Sequence, residues 1–245
     1  MHTPSEQNWF DAHLDLAYLA VQGRDMMMDE SALAKLSEPA AISLSSLATG
    51  KVRRAVATVF VQPRGIDDIG HMIDGPWCYN NADEAHEASI AQLNWFHKAK
   101  ENGLLEIIDK PGAKLTGHSP LQIIILLEGA AGIRNLNDLD DFYRLGVRIL
   151  AATWAVGTSW AGGDKSGGDI TPQGRRLLQR GDELGMVHDV SHLSEKAFWT
   201  LLACAHGPKI SSHSNCRSLL PGSKRPERHL SDEQIKALAN IDAVM

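Results

Sequence analysis

His13 and Asp15 stand two positions apart in the apolar run FDAHLDLAYLA. Side chains at i and i+2 of a strand share one side, so the imidazole and the carboxylate would reach a common space. A buried carboxylate is costly unless a cation or hydrogen-bond donors meet it, and a metal would meet both groups. Glu128 closes LQIIILLE, a run so apolar that its one carboxylate has no local partner; His192 follows MVHDVS and His213 sits in ISSHS. Each alone has a plain reading, a rim glutamate reaching solvent or a hydrogen-bonded structural histidine. Together, two carboxylates and three imidazoles at the ends of predicted strands suit divalent transition metals, zinc above all. Two such ions can clamp and activate one water, and a glutamate with two oxygens can bridge them.

The elements that must position these residues follow from patterning. Short Val/Ile/Leu-rich runs predict strands at 10–16, 53–61, 121–128, 147–153, 186–191 and 209–213, with a seventh beginning at Asp242. Between them, helical periodicity predicts helices over 29–37, 81–102, 136–145, 172–185, 194–206 and 231–240, with Ser194 and Ser231 as N-caps. Two stretches, 62–80 and 157–174, are rich in Gly and lack periodicity; both are read as long functional loops. Alternating strands and helices without a GxGxxG turn indicate an α/β fold, a TIM-like (β/α) barrel rather than a dinucleotide-binding sheet. Reactive residues of such barrels sit at the C-terminal ends of strands, where these five fall.

Bulk properties narrow the class. The 245 residues are 43% hydrophobic and 22% charged, which predicts one globular domain spanning 1–245. Lys plus Arg is 24 against 30 for Asp plus Glu, a net charge of -6, so nucleic acid is a poor partner. The start, MHTPSEQNWF, lacks a signal-peptide pattern and no run reaches membrane-spanning length, so the expectation is a cytoplasmic protein without a membrane anchor. Three scattered cysteines exclude a disulfide framework, whereas eleven histidines exceed what a domain of this size usually needs.

The segments FDAHLD at 10–15, LLEGAAGI at 126–133, LGVRIL at 145–150, ITPQGRRLLQRGDELGM at 170–186, DVSHLS at 189–194, SSHSNCRSL at 211–219 and RHLSDEQIKALA at 228–239 together resemble the membrane dipeptidases, also called renal dipeptidases, of metallopeptidase family M19. The resemblance implies a binuclear zinc site of the metal-dependent hydrolase type, with His13 and Asp15 on one ion, His192 and His213 on the other, and Glu128 bridging. It implies a zinc-dependent dipeptidase that hydrolyses small dipeptides through a metal-bridging hydroxide, with a homodimer as the common assembly. It also assigns an arginine before the helix near LSDEQ to the substrate's terminal carboxylate. That residue is Arg228, with Arg225 as its rival; the plain reading of this basic loop is a solvated one.

Two departures stand out. The chain stops at ANIDAVM, before the family's eighth-strand GSDFDG-like segment, so the expectation is a barrel truncated before its last strand and lacking that segment's aspartate. Hence the alternative function, a non-catalytic metal-binding remnant or interaction protein. A third possibility, an amidohydrolase acting on non-peptide amides, is weakened because those barrels usually begin with HxH and this one has His13-Leu14-Asp15. In the renal branch a histidine ends the fourth strand, whereas Trp154 stands here, suited to shape or stacking at the substrate or to core packing. His188 is expected to share a face with His192 one layer deeper, and Asp189 to point away from the site. His71, His86, His97, His118, His206 and His229 are expected to play no special role.

Overall fold

Six parallel strands carry the fold: β1 (Trp9–Leu14), β2 (Val52–Phe60), β3 (Leu121–Glu128), β4 (Val147–Ala151), β5 (Val187–Asp189) and β6 (Lys209–Ile210). Their order in the sheet is their order in the sequence, and every pair along it is parallel. A short strand, Leu105–Ile107, pairs with the start of β3. The computed structural model describes residues 8–36, 40–66, 72–114 and 120–245. His71, His118 and the middle of the 62–80 loop lie outside them.

Alternation along β3 explains why its sequence is uniformly apolar. Ile123, Ile125 and Leu127 pack outward with Phe96 of the helix Ala82–Glu101 and Phe142 of the helix Leu136–Arg144, while Leu126 packs inward with Val56, Ile149 and Ile210. A parallel strand covered on both faces reads as a continuous hydrophobic run. Glu128 has the parity of Leu126, so its side chain enters the concave face. Register places Phe60, Glu128, Ala151, Asp189 and Ile210 at one level, the C-terminal rim of the sheet.

The sheet curls. The His13 ring, from the end of β1, stacks on the His213 ring beyond β6 with centroids 3.6 Å apart. Among the described residues β1 and β6 do not pair, so the strands form a curled half-barrel. The predicted seventh strand is present as a single parallel bridge of Val244 to Ile210.

Differences from the sequence-based expectations have local causes. β1 ends at Leu14, and Asp15 (φ −84°, ψ 48°) precedes an unforeseen helix, Leu16–Val21. A second unforeseen helix, Leu44–Thr49, is held by a capping box between Ser43 and Ser46. The 157–174 stretch contains a hairpin, Ala161–Gly163 with Gly167–Ile170. The 62–80 stretch forms short pairings of Gln62–Pro63 with Cys78–Tyr79 and of Gly65–Ile66 with Met72–Ile73. The longer helices fall as predicted, Pro172–Leu184, Glu195–Cys204 and Asp232–Ala239, the last two capped by Ser194 and Ser231. Among the described residues no helix is long and apolar enough to cross a membrane.

Candidate metal centre

Glu128 lies at the middle of a converging set. Its Oε2 is 3.2 Å from His13 Nε2, and its Oε1 is 3.2 Å from His192 Nε2 and 3.3 Å from His213 Nε2. His192 Nε2 and His213 Nε2 are 3.0 Å apart, and Asp15 Oδ1 is 3.7 Å from His13 Nε2. All five residues come from the C-terminal rim of the sheet, although their first and last members are separated by most of the chain. Gly129 turns the chain out of β3 at φ 81°, and a Cβ there would meet Trp154 Cβ at 3.2 Å, so the sharp exit after Glu128 requires glycine.

Electrostatics bind the set together. Burial alone would push the Glu128 carboxyl up, but hydrogen bonds from His13, His192 and His213 hold it well below the usual carboxylate range. For His13, burial works to lower the pKa and the hydrogen bond and charge of Glu128, with the charges of Asp15 and Asp189, raise it overall. Burial and the Glu128 charge push Asp15 up against the pull of Thr58, whose Oγ1 donates to Asp15 Oδ1 at 2.5 Å. His213 moves down through burial, reinforced by the neighbouring His13 and His192.

The outward nitrogens are held by oxygens. Ser212 Oγ donates its one proton to Asp189 Oδ2 at 2.5 Å, so its lone pairs face His213 Nδ1 at 2.8 Å and His13 Nδ1 at 3.4 Å. His192 Nδ1 lies 3.0 Å from Asp164 Oδ1. This network anchors each ring to an oxygen through Nδ1 and leaves Nε2 as the atom that meets Glu128 and would bind an ion.

Asp189 therefore faces the site, contrary to the parity expectation. β5 ends at Asp189 and His192 sits in a turn at φ 65°, so strand alternation does not carry from 188 to 192. His188 is turned outward instead, fully buried, with Nε2 2.7 Å from Asp182 Oδ1. Sequence reasoning also missed Asp164 and Ser212. The only signal for Asp164 was its place in a Gly-rich loop already expected to be functional.

Arg228, half-buried, donates to His213 O at 2.7 Å, beside the set. Burial lowers its pKa, while the charges of Asp164 and Glu128 oppose the change. Arg225 is bound to Asp164. Trp154 lies between Phe60 and His192, with centroid distances of 5.2 and 5.9 Å. Tyr18 contacts both Phe60 and Trp77, extending an aromatic arc along the rim. His86 Nδ1 and His97 Nε2 instead bond the carbonyls of Gly132 and Leu145.

The donor set fits a metal. Two imidazole nitrogens 3.0 Å apart can share at most one proton. His13, Glu128 and His213 present ligand atoms all within 4.8 Å of one another. Nitrogen and carboxylate oxygen together suit zinc and its neighbours in the first transition row.

A family model described as membrane dipeptidase (peptidase family M19) matches residues 4–245. A Klebsiella pneumoniae protein described as lying in the pqqA 5′ region is 33% identical over 134 residues, 51% of this chain and 48% of its own. The match thus spans about half the length of that curated relative. The probable dipeptidase PvdM from Pseudomonas aeruginosa superposes with a TM-score of 0.77 at 19% identity, over 96% of this chain and 58% of that one. A metallopeptidase from Rhodobacter sphaeroides, liganded with a phosphinate mimic of the dipeptide L-Ala-D-Ala, gives a TM-score of 0.74 at 21% identity, over 97% and 72%. At these identities the two structures establish the fold.

Proposed function

This chain belongs to the membrane dipeptidase family, peptidase family M19, and from that premise we propose that it is a zinc-dependent dipeptidase acting on small dipeptides. The observation that carries the reading is the division of Glu128: one carboxylate oxygen faces His13, the other faces His192 and His213. A bridging glutamate requires that arrangement. His13 and Asp15 would hold one ion and His192 and His213 the other. Bound divalent ions would supply Lewis acidity toward a scissile carbonyl and a lowered pKa for attacking water.

The residues of the chain supply the rest. Glu128 and Asp15 would offset the ionic charge, and Ser212, itself held by Asp189, orients the His13 and His213 rings. Arg228 stands beside His213, where a planar guanidinium fork suits the terminal carboxylate of a dipeptide. Trp154 and Phe60 form an apolar wall next to His192, suited to the flank of a substrate side chain. The bound ligand of the Rhodobacter sphaeroides structure, a dipeptide mimic, supports this substrate class.

The test is metal analysis of the purified protein with hydrolysis of a dipeptide panel, before and after chelation. Stoichiometric zinc and chelator-sensitive cleavage are expected. Protein that takes up no zinc, and whose stability ignores chelator, would refute the reading. Bound zinc without turnover would support the alternative of a non-catalytic metal-binding protein.

A further inference from the structure

Asp164 stands outside the ligand set, yet its side chain is fully buried and both its oxygens are committed. Oδ1 is 3.0 Å from His192 Nδ1; Oδ2 accepts from Arg225 Nε at 3.0 Å and also from Arg225 Nη2. The backbone N–H of Asp164 donates to His192 O at 2.9 Å, and Gly163 bridges Leu193. The hairpin and the His192 turn are thus joined through both main chain and side chain. His192 itself holds φ 65°, a conformation a non-glycine residue keeps only where its surroundings impose it.

Resting on the reading of His192 as a metal ligand, we propose that Asp164 is a positioning residue for the metal centre. It accepts the Nδ1–H of His192 and so presents the Nε2 lone pair to the ion, while Arg225 fixes the carboxylate in place. Carboxylates behind metal-binding imidazoles fix tautomer and ring orientation, and their loss costs roughly 10–100-fold in metal affinity.

Chemistry supplies a discriminating pair of variants. In Asp164→Asn the amide has one acceptor and one donor end. With its oxygen toward Arg225, its NH2 faces His192 Nδ1 and forces the tautomer whose Nε2 carries the proton. With the amide reversed, its NH2 opposes the guanidinium, so one of the two contacts must fail. Adding Arg225→Gln relieves the conflict, because the Asn NH2 can then donate to the Gln oxygen while the Asn oxygen accepts from His192.

Zinc affinity, measured by competition with a chromophoric chelator, should fall about 10–100-fold for one ion in D164N. It should recover in part in D164N/R225Q, with the metal-free thermal midpoints of the two variants alike. The proposal is overturned if D164N binds zinc as tightly as the parent, or if the double variant is no better than the single one. A parent protein that binds no zinc overturns the proposal together with the dipeptidase reading, whereas a normal D164N overturns the positioning role alone.

Discussion

Among the described residues Glu128 is the only acid shared by all three imidazoles of the set, and the physics of the cluster follows from it. Glu128→Gln removes the charge that holds His13 in place and leaves an amide donor among inward-facing nitrogens. Zinc content should fall at least as far as the roughly 10–100-fold expected for loss of an outer partner, as measured by metal analysis after equilibrium dialysis. A second prediction concerns Asp182, remote from the rim. Its carboxylate accepts from His206 N, Gly207 N and His188 Nε2. Burial works to raise its pKa, but those bonds hold it below the ordinary value. A depressed carboxylate contributes stability above its unfolded pKa and loses it as pH falls through the folded value. Asp182→Asn should therefore cost about 1–3 kcal/mol at neutral pH. The deficit should shrink below about pH 4, as followed by urea unfolding; a pH-independent deficit would contradict this. At this scale the sequence disclosed acids and imidazoles in improbable apolar settings. It could not disclose Asp164 or Ser212, whose partners lie in distant segments, and the alternation argument for His188 and Asp189 failed where the strand ended.

Helix Pro172–Leu184 shows how an element transmits constraint to the rim. Thr171 caps it by accepting from Gly174 N, and a Cβ at Gly174 would lie 2.0 Å from Trp160 O. Trp160 in turn donates through Nε1 to the carbonyls of Ala130 and Ile133, just beyond Glu128. Gly174→Ala should overpack this contact and destabilise by about 1–3 kcal/mol. It should also perturb zinc affinity although the position is far from the ligands in sequence; unchanged unfolding midpoints would refute the account. Long periodic helices and their Ser caps were legible because amphipathic spacing and capping are local. Leu16–Val21 escaped because the apolar run continues without a break from β1 through Asp15. Leu44–Thr49 is six residues long, too short for periodicity to register.

Across the whole molecule, sequential parallel strands were readable from the alternation of runs and helices, and with them the convergence of residues at the rim. The degree of curl was not, since it is set by packing summed over all strands. That curl makes the rim a clasp between β1 and the segment after β6. Metal bound there at a thousandfold excess over its Kd would add about 4 kcal/mol of stability. Chelation should then lower the thermal midpoint by on the order of 10 °C for a domain of this size, as calorimetry would show. An identical midpoint with and without chelator would contradict a clasp.

The stacked pair His13 and His213 has a further consequence for biosynthesis. A ribosome adding roughly 5–20 residues per second makes the first ring about 10–40 s before the second. Throughout that interval the nascent chain carries an unfinished chelating site, and loading with metal must wait until translation has passed His213.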